Sequence, residues 1–236
     1  MTFPHFFAPS VEDDIVRIEG EEARHALRVL RIKPGERVTV SDGRGTVVEG
    51  VVEPDARALV VRVAARERSS SPPPRLVVYP AVPKKGKLEV IVQKLTELGV
   101  EEIRPWFAER SVPRWDPSKS ASYAERLRAV ALEAAKQSRR PFLPEVFEPG
   151  RLGDLPEVTV VLDAGAPESL NAALAGKTPA ELGLVVGPEG GLSPEELAEL
   201  QALGSRVATI GPTILRAETA AIVGATLVLA RYSRIG

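Results

Sequence analysis

Apolar residues in this chain follow two periods, and the change falls near residue 70. Before it, short runs alternate apolar and polar. Asp14–Ile18, Arg37–Ser41, Thr46–Glu53 and Ala58–Ala65 read as strands, the last three separated by Asp42-Gly43-Arg44-Gly45 and Glu53-Pro54-Asp55. One stretch, Glu21–Arg31, reads as a helix, with Ala23, Leu27 and Leu30 at helical spacing and Lys33-Pro34-Gly35 as its stop. Short strands so spaced predict a small β-barrel. After residue 74, strands and helices alternate. Leu76–Val82, Glu102–Phe107, Val158–Leu162, Leu184–Val186 and Val207–Ile210 read as strands. Lys87–Leu98 and Ala121–Ser138 read as helices, the first closed by Gly99 and the second broken by Pro141 and Pro144. A last helix starts near Glu218. This alternation predicts an α/β domain with a mostly parallel sheet covered by helices. From Ala220 to Ala230 only Gly224 and Thr226 interrupt apolar residues, which predicts a helix buried between the sheet and a second subunit.

Ser69-Ser-Ser-Pro-Pro-Pro74 joins the two patterns and reads as a linker. Composition then narrows the chemistry. The 236 residues include no cysteine and only His5 and His25, which excludes disulfides, thiolate catalysis and Cys-built metal sites and leaves little for a histidine-built one. No apolar run has membrane-spanning length, and MTFPHFFAPSVEDD lacks the pattern of a signal peptide, so the expected location is the cytoplasm. Arg outnumbers Lys 23 to 8, and Asn, Gln and Met are scarce, which fits a thermophile and equally a GC-rich genome. Net charge is −1, unevenly spread: residues 73–140 carry 14 basic and 8 acidic groups, residues 141–236 carry 6 and 12. The basic middle segment suits a polyanion or ordinary solvated surface.

Two glycine-containing loops, each between an apolar strand and a helix, carry the chemistry. The first is Gly187-Pro-Glu-Gly-Gly-Leu-Ser-Pro-Glu-Glu196. Ser193 and Glu196 form a capping box with Pro194 at the first helical position, which is purely structural. Gly190 and Gly191 are not needed for a cap, and allow a ligand close to main-chain N–H groups. The loop lacks the Lys-Ser/Thr of a P-loop and the spacing of a dinucleotide fingerprint. The second is Gly211-Pro-Thr-Ile-Leu-Arg216, whose Ile214 and Leu215 suit a hydrophobic slot for a flat aromatic group. Either loop alone reads as a turn as readily as a site. As neighbours at the C-terminal ends of strands, with Asp163-Ala-Gly165 as a third wall, they predict one small-molecule pocket. Glu218 is explained by the helix dipole; Arg216 has no such structural reason.

The chain resembles the SPOUT methyltransferases and, within them, the bacterial 16S ribosomal RNA uridine-N3 methyltransferases. The resemblance rests on Arg24-His-Ala-Leu-Arg28-Val-Leu-Arg31, on Lys84-Lys-Gly-Lys-Leu-Glu-Val-Ile-Val-Gln93-Lys94-Leu-Thr-Glu97-Leu-Gly99, on Val186–Gly191 and on Ile214–Ala220. Glu109-Arg-Ser111 and Glu133-Ala-Ala-Lys-Gln-Ser-Arg-Arg140 also match, so the likeness spans almost the whole chain. It implies an α/β methyltransferase domain over 75–236 with a deep trefoil knot, a linker over 69–74, and a PUA-like RNA-binding β-barrel over 1–68. It also implies a homodimer with S-adenosylmethionine bound near the subunit interface, acting on 16S rRNA within the 30S subunit.

On that resemblance the cofactor is expected against Gly187, Pro188, Glu189, Gly190, Gly191 and Gly211. Leu162, Asp163, Gly165, Val186, Ile210, Ile214, Leu215 and Arg216 complete its surroundings. The sulfonium carries its own leaving group, so no metal is required. Uracil N3 holds a proton, and its anion spreads onto O2 and O4. Arg216 is the first candidate to stabilise those oxygens and Glu218 a weaker candidate to accept the proton. RNA contacts are expected from Arg24, Arg28 and Arg31, from Lys84, Lys85 and Lys87, and, in the facing subunit, from Arg110, Gln137 and Arg139. Solvated surface accounts for the basic clusters equally well. Rival readings are a catalytically silent RNA-binding protein, a ribose 2′-OH methyltransferase, and a flavodoxin-like FMN binder.

Overall fold

A computed structural model describes residues 3–83, 87–111 and 120–236. The chain forms two compact units, Met1–Ser71 with Ala135–Leu143, and Pro72–Ala134 with Pro144–Gly236. The linker expected at 69–74 marks only one crossing between them. The others lie within a helix and in the turn after it, where composition does not change.

The first unit holds β1 (His5–Phe7), β2 (Ile15–Ile18), the short helix α1 (Gly20–Arg24) running into a π-helical turn at His25–Val29, β3 (Arg37–Ser41), β4 (Thr46–Glu53) and β5 (Leu59–Arg68). They form one sheet, ordered β1-β3-β4-β5-β2. β1 runs parallel to β3, and the other pairs are antiparallel. Edge strands β1 and β2 do not pair with each other, so the PUA-like barrel is a half-closed, curled sheet. Residues of β4 alternate buried and half-buried, and Val48 and Val52 point into a core with Phe6, Val38, Val40, Leu59 and Val61. After the long helix, Pro141 and Phe142 return to this sheet: Gly45 N–H donates to Pro141 O at 3.0 Å, and Ser41 Oγ–H donates to the same oxygen at 2.9 Å.

Two expectations here need correction, and one strand, β1, was not foreseen. The helix expected over Glu21–Arg31 stops at Val29, and Arg31 adopts φ +55, a reversal that leaves Leu30 exposed. β1 is too short to show a period and is held by non-local pairing. β5 continues past Ala65 because Arg66, Glu67 and Arg68 pair with Val48, Val47 and Thr46 in turn, although their side chains are exposed.

His5 is buried in this unit, with Nδ1 2.8 Å from Thr39 Oγ1. Burial pushes its pKa down to about 4, against a smaller upward pull from the Arg140 backbone. The folded protein therefore holds fewer protons than the unfolded chain between pH 6.5 and 4. The stabilisation present above pH 6.5 is lost as pH falls through that window, by roughly 3 kcal/mol. Urea midpoints taken from pH 7 to pH 4 should fall more steeply for the natural chain than for His5→Phe; identical slopes would refute this account.

The second unit contains β6 (Arg75–Pro80), α2 (Lys87–Leu98), β7 (Glu102–Ile103), α3 (Ser120–Ser138), β8 (Glu145–Val146), β9 (Val158–Leu162), α4 (Leu170–Ala173), β10 (Glu181–Val186), α5 (Pro194–Ala202), β11 (Arg206–Ala208) and α6 (Ala217–Arg231). α3 belongs to it as far as Ala134. The sheet order is β11-β9-β10-β6-β7-β8, and every pair is parallel. Both faces are covered, as a parallel sheet requires. Leu76 and Val78 join a core with residues of α2, α3 and α6; Val77 and Tyr79, one position out of phase, pack with Leu197 and Leu200 of α5. The strand expected over Glu102–Phe107 is cut short at Ile103. Pro105 has no N–H to donate, and pairing resumes only as bridges at Trp106.

α6 lies tight on this sheet. A Cβ on Gly224 would stand 2.6 Å from Leu162 Cδ1 and 3.1 Å from Leu184 Cδ2. Its opposite side is not buried in this chain: Ile222 and Val223 are half-buried and Leu227 is exposed. Beyond the helix, Arg234 turns inward. Its guanidinium donates to Pro74 O at 2.7 Å and Gly99 O at 3.1 Å, and pairs with both oxygens of Glu101, whose Oε2 also accepts from Leu76 N–H at 2.9 Å. Among the described residues no helix is long and apolar enough to cross a membrane.

Candidate functional site

In the second unit, Leu162 of β9 sits in register with Val186 of β10 on one side and Ala208 of β11 on the other. The three strands therefore end level, and the three loops after them open on the same edge. They enclose a cavity of about 280 Å³. The pairing of the two glycine-containing loops in one pocket is thus a matter of strand register.

Most residues expected to surround a cofactor line this cavity: Leu162, Asp163, Val186, Gly187, Pro188, Glu189, Gly191, Ile210, Ile214, Leu215 and Arg216. Gly165, Gly190 and Gly211 do not, because their backbone groups hold the loops in shape. Gly165 N–H donates to Asp163 Oδ1 at 2.8 Å, Gly190 O accepts from Arg110 at 3.2 Å, and Gly211 exchanges hydrogen bonds with Thr209 Oγ1. Gly191 has φ +70, which disfavours any side chain there. Ala164 lines the cavity too, as the expected third wall, and so does Thr213 of the second loop; sequence reasoning missed Leu192, Thr209, Ala217 and Ala220. Leu192 packs where a Cβ on Gly187 would stand, 3.1 Å from its Cγ. A Thr two residues before a Gly is a turn signal that could have found Thr209.

The first loop is braced from outside. The expected capping box is present: Ser193 Oγ accepts from Glu196 N–H, and Glu196 Oε2 accepts from Ser193 N–H. Glu196 Oε1 also accepts from Glu109 N–H at 2.7 Å. Arg110 Nη1 donates to the carbonyls of Gly190 and Leu192. Arg110, expected on RNA, is therefore committed to the loop of its own chain.

The cavity walls carry an asymmetric set of charges. Lys87 Nζ lies 3.2 Å from Glu189 Oε1 and 3.2 Å from Glu218 Oε2, which holds its pKa above the ordinary value, Glu218 contributing most. Lys87, also expected on RNA, is thus paired within the site. Glu218 does not line the cavity. Its Oε2 is closed to solvent and meets Lys87 as an ion pair outside hydrogen-bond geometry. Arg216 is exposed at the N-cap of α6 and lines the cavity; among the described residues its side chain has no hydrogen-bond or ion-pair partner.

A family model described as "RNA methyltransferase domain" matches residues 70–229, and one described as "RNA methyltransferase PUA domain" matches residues 18–64. The chain belongs to this RNA methyltransferase family. Relatives of the methyltransferase carry the name ribosomal RNA small subunit methyltransferase E. One from Mycobacterium bovis is 36% identical, covering 92% of this chain and 88% of its own; one from Aquifex aeolicus is 31% identical, covering 92% and 95%. The fold matches the ribosomal RNA small subunit methyltransferase E of Neisseria gonorrhoeae, solved bound to S-adenosyl methionine, with a TM-score of 0.86 at 23% identity over 98% of each chain.

In the PUA unit of the methyltransferase, Arg24, Arg28 and Arg31 are exposed beside exposed Val29 and Leu30. Arg24 makes one surface pair with Glu21 at 3.4 Å. Gln137 is exposed, whereas Arg139 donates to Phe3 O within the same unit. Lys84 and Lys85 lie outside the described residues.

Proposed function

We propose that this chain is an S-adenosylmethionine-dependent methyltransferase that modifies N3 of a uridine in 16S rRNA of the small ribosomal subunit. The observation that carries the reading is the pocket: two strand-to-helix loops converge on one cavity, and an unpartnered arginine stands on its wall. The residues fit the cofactor. Leu162, Ile210 and Leu215 make an apolar slot suited to adenine, the Gly187–Gly191 turn brings main chain to the wall, and Glu189 supplies negative charge for a cation. The bound cofactor supplies a methyl group on a positively charged sulfur.

The chain's own residues then act on the base. Arg216 offers several N–H donors in a fixed fork, suited to uracil oxygens that gain charge as N3 loses its proton. It sits at the N-terminus of α6, whose dipole adds to the same positive field. Glu218 is the remaining candidate for the N3 proton, although Lys87 already engages it. Arg24, Arg28 and Arg31 would hold RNA phosphates, which position the substrate without reading its sequence.

The relatives' names support ribosomal RNA as the substrate. The half-open apolar side of α6 supports a homodimer, since Ile222, Val223 and Leu227 would otherwise face water. A trefoil knot around the pocket loops, the 30S particle as target and a cytoplasmic location complete the proposal. Unmodified 30S particles incubated with methyl-labelled S-adenosylmethionine should yield labelled N3-methyluridine in 16S rRNA. Label on ribose, or no transfer at all, would overturn the reading.

A further inference from the structure

Lys87 stands at the first turn of α2, a helix anchored by Leu88, Ile91, Val92 and Leu95 in the core. Its ammonium reaches two carboxylates from different parts of the chain. Glu189 belongs to the first pocket loop and lines the cavity; Glu218 follows Ala217, which lines it from the second loop's side. We propose that Lys87 is a positioning residue: by bridging Glu189 of the first pocket loop and Glu218 in the first turn of α6, it ties that loop to the helix that closes the second loop and holds the cofactor cleft in its binding shape.

The argument is electrostatic and geometric. Two oxygens that each lie 3.2 Å from one nitrogen are roughly 6 Å apart at most, within the range where like charges oppose each other strongly. The side chains of Lys87, Glu189 and Glu218 are 30%, 22% and 18% exposed, so solvent screens this group less than a surface pair. Removing the cation leaves two facing carboxylates, one with a buried oxygen that has no hydrogen-bond donor, and their repulsion pushes the first loop and the start of α6 apart. The braces already described each act on one loop. Arg110 and Glu196 brace the first, and Thr209 the second. Lys87 alone among these reaches both the first loop and the start of α6. An ammonium so placed is not free for phosphate, which removes it from the RNA-binding set.

This inference rests on the cofactor reading above, and its test separates the two. Hydrogen exchange is measured on the cofactor-free protein, and S-adenosylmethionine affinity by calorimetry, for the natural chain, Lys87→Met and Lys87→Arg. Lys87→Met should speed exchange in both 187–192 and 211–218, with 158–162 and 181–186 unchanged, and should weaken cofactor binding by tenfold or more. Lys87→Arg should bind within threefold of the natural chain. Unchanged exchange in either loop of Lys87→Met, exchange rising equally across the sheet, or cofactor affinity within twofold of the natural chain would overturn the proposal. If the natural chain itself binds no S-adenosylmethionine, the cofactor reading fails and the exchange data alone decide the role of Lys87.

Discussion

Arg216→Ala is expected to slow methyl transfer by roughly 100- to 1,000-fold in single turnover, the usual loss when one preorganised donor to a developing oxyanion is removed. Three observations combine. Arg216 lines the cavity, it starts α6 and so adds to the positive end of that helix, and among the described residues nothing neutralises it. A cation with no structural partner on a pocket wall is available for the charge that appears on uracil O2 and O4. Its removal should barely change stability, because among the described residues its exposed side chain makes no hydrogen bond or ion pair. Cofactor affinity should change much less than rate, because much of the cavity wall is apolar. A rate within threefold of the natural chain, at saturating cofactor and 30S particles, would take Arg216 out of the mechanism. A rate and a cofactor affinity that fall equally would make it a binding residue instead.

Arg234→Met should destabilise the second unit by about 3–5 kcal/mol, the cost of removing one partner from a buried ion pair. Arg234 and Glu101 are only 7% and 11% exposed, and the arginine also satisfies the carbonyls of Pro74 and Gly99. The substitution strands a carboxylate that still accepts from Leu76 N–H, and it removes a donor from the carbonyls of Pro74 and Gly99. Tryptophan fluorescence should report a lower urea midpoint with little change in slope. The double variant with Glu101→Met should recover part of the loss, because an uncharged pair has no buried charge to compensate. A double variant less stable than Arg234→Met alone would show that the hydrogen bonds, not the charge, dominate.

Periodic segments could be read from sequence to the residue. Thr46–Glu53, Lys87–Leu98 and Val158–Leu162 lie where the pattern of apolar positions puts them, because each is covered on a regular face. The pocket loops were legible for a related reason: a buried strand, a glycine and a capped helix follow in order, and parallel strands bring such loops to one edge. Non-local pairing hid the rest. His5–Phe7 is a strand only because β3 lies beside it, and Pro141–Phe142 returns to the first sheet across almost one hundred residues. The basic residues were hardest to assign. Lys87 and Glu189 are far apart in sequence, as are Arg110 and Gly190, so nothing local distinguishes them from solvated lysines and arginines.

Gly224 gives the core a say in the chemistry. A glycine inside a helix costs about 1 kcal/mol against alanine, yet here it lets the helix backbone settle onto Leu162 and Leu184. Leu162 is also a wall of the cavity, and the same helix carries Arg216 at its tip. One missing methyl group therefore sets how far the arginine stands from the floor of the slot. The width of the cleft is a thickness of packing, and substitutions at this hidden position would tune reactivity through Leu162 without placing a new side chain in the cavity.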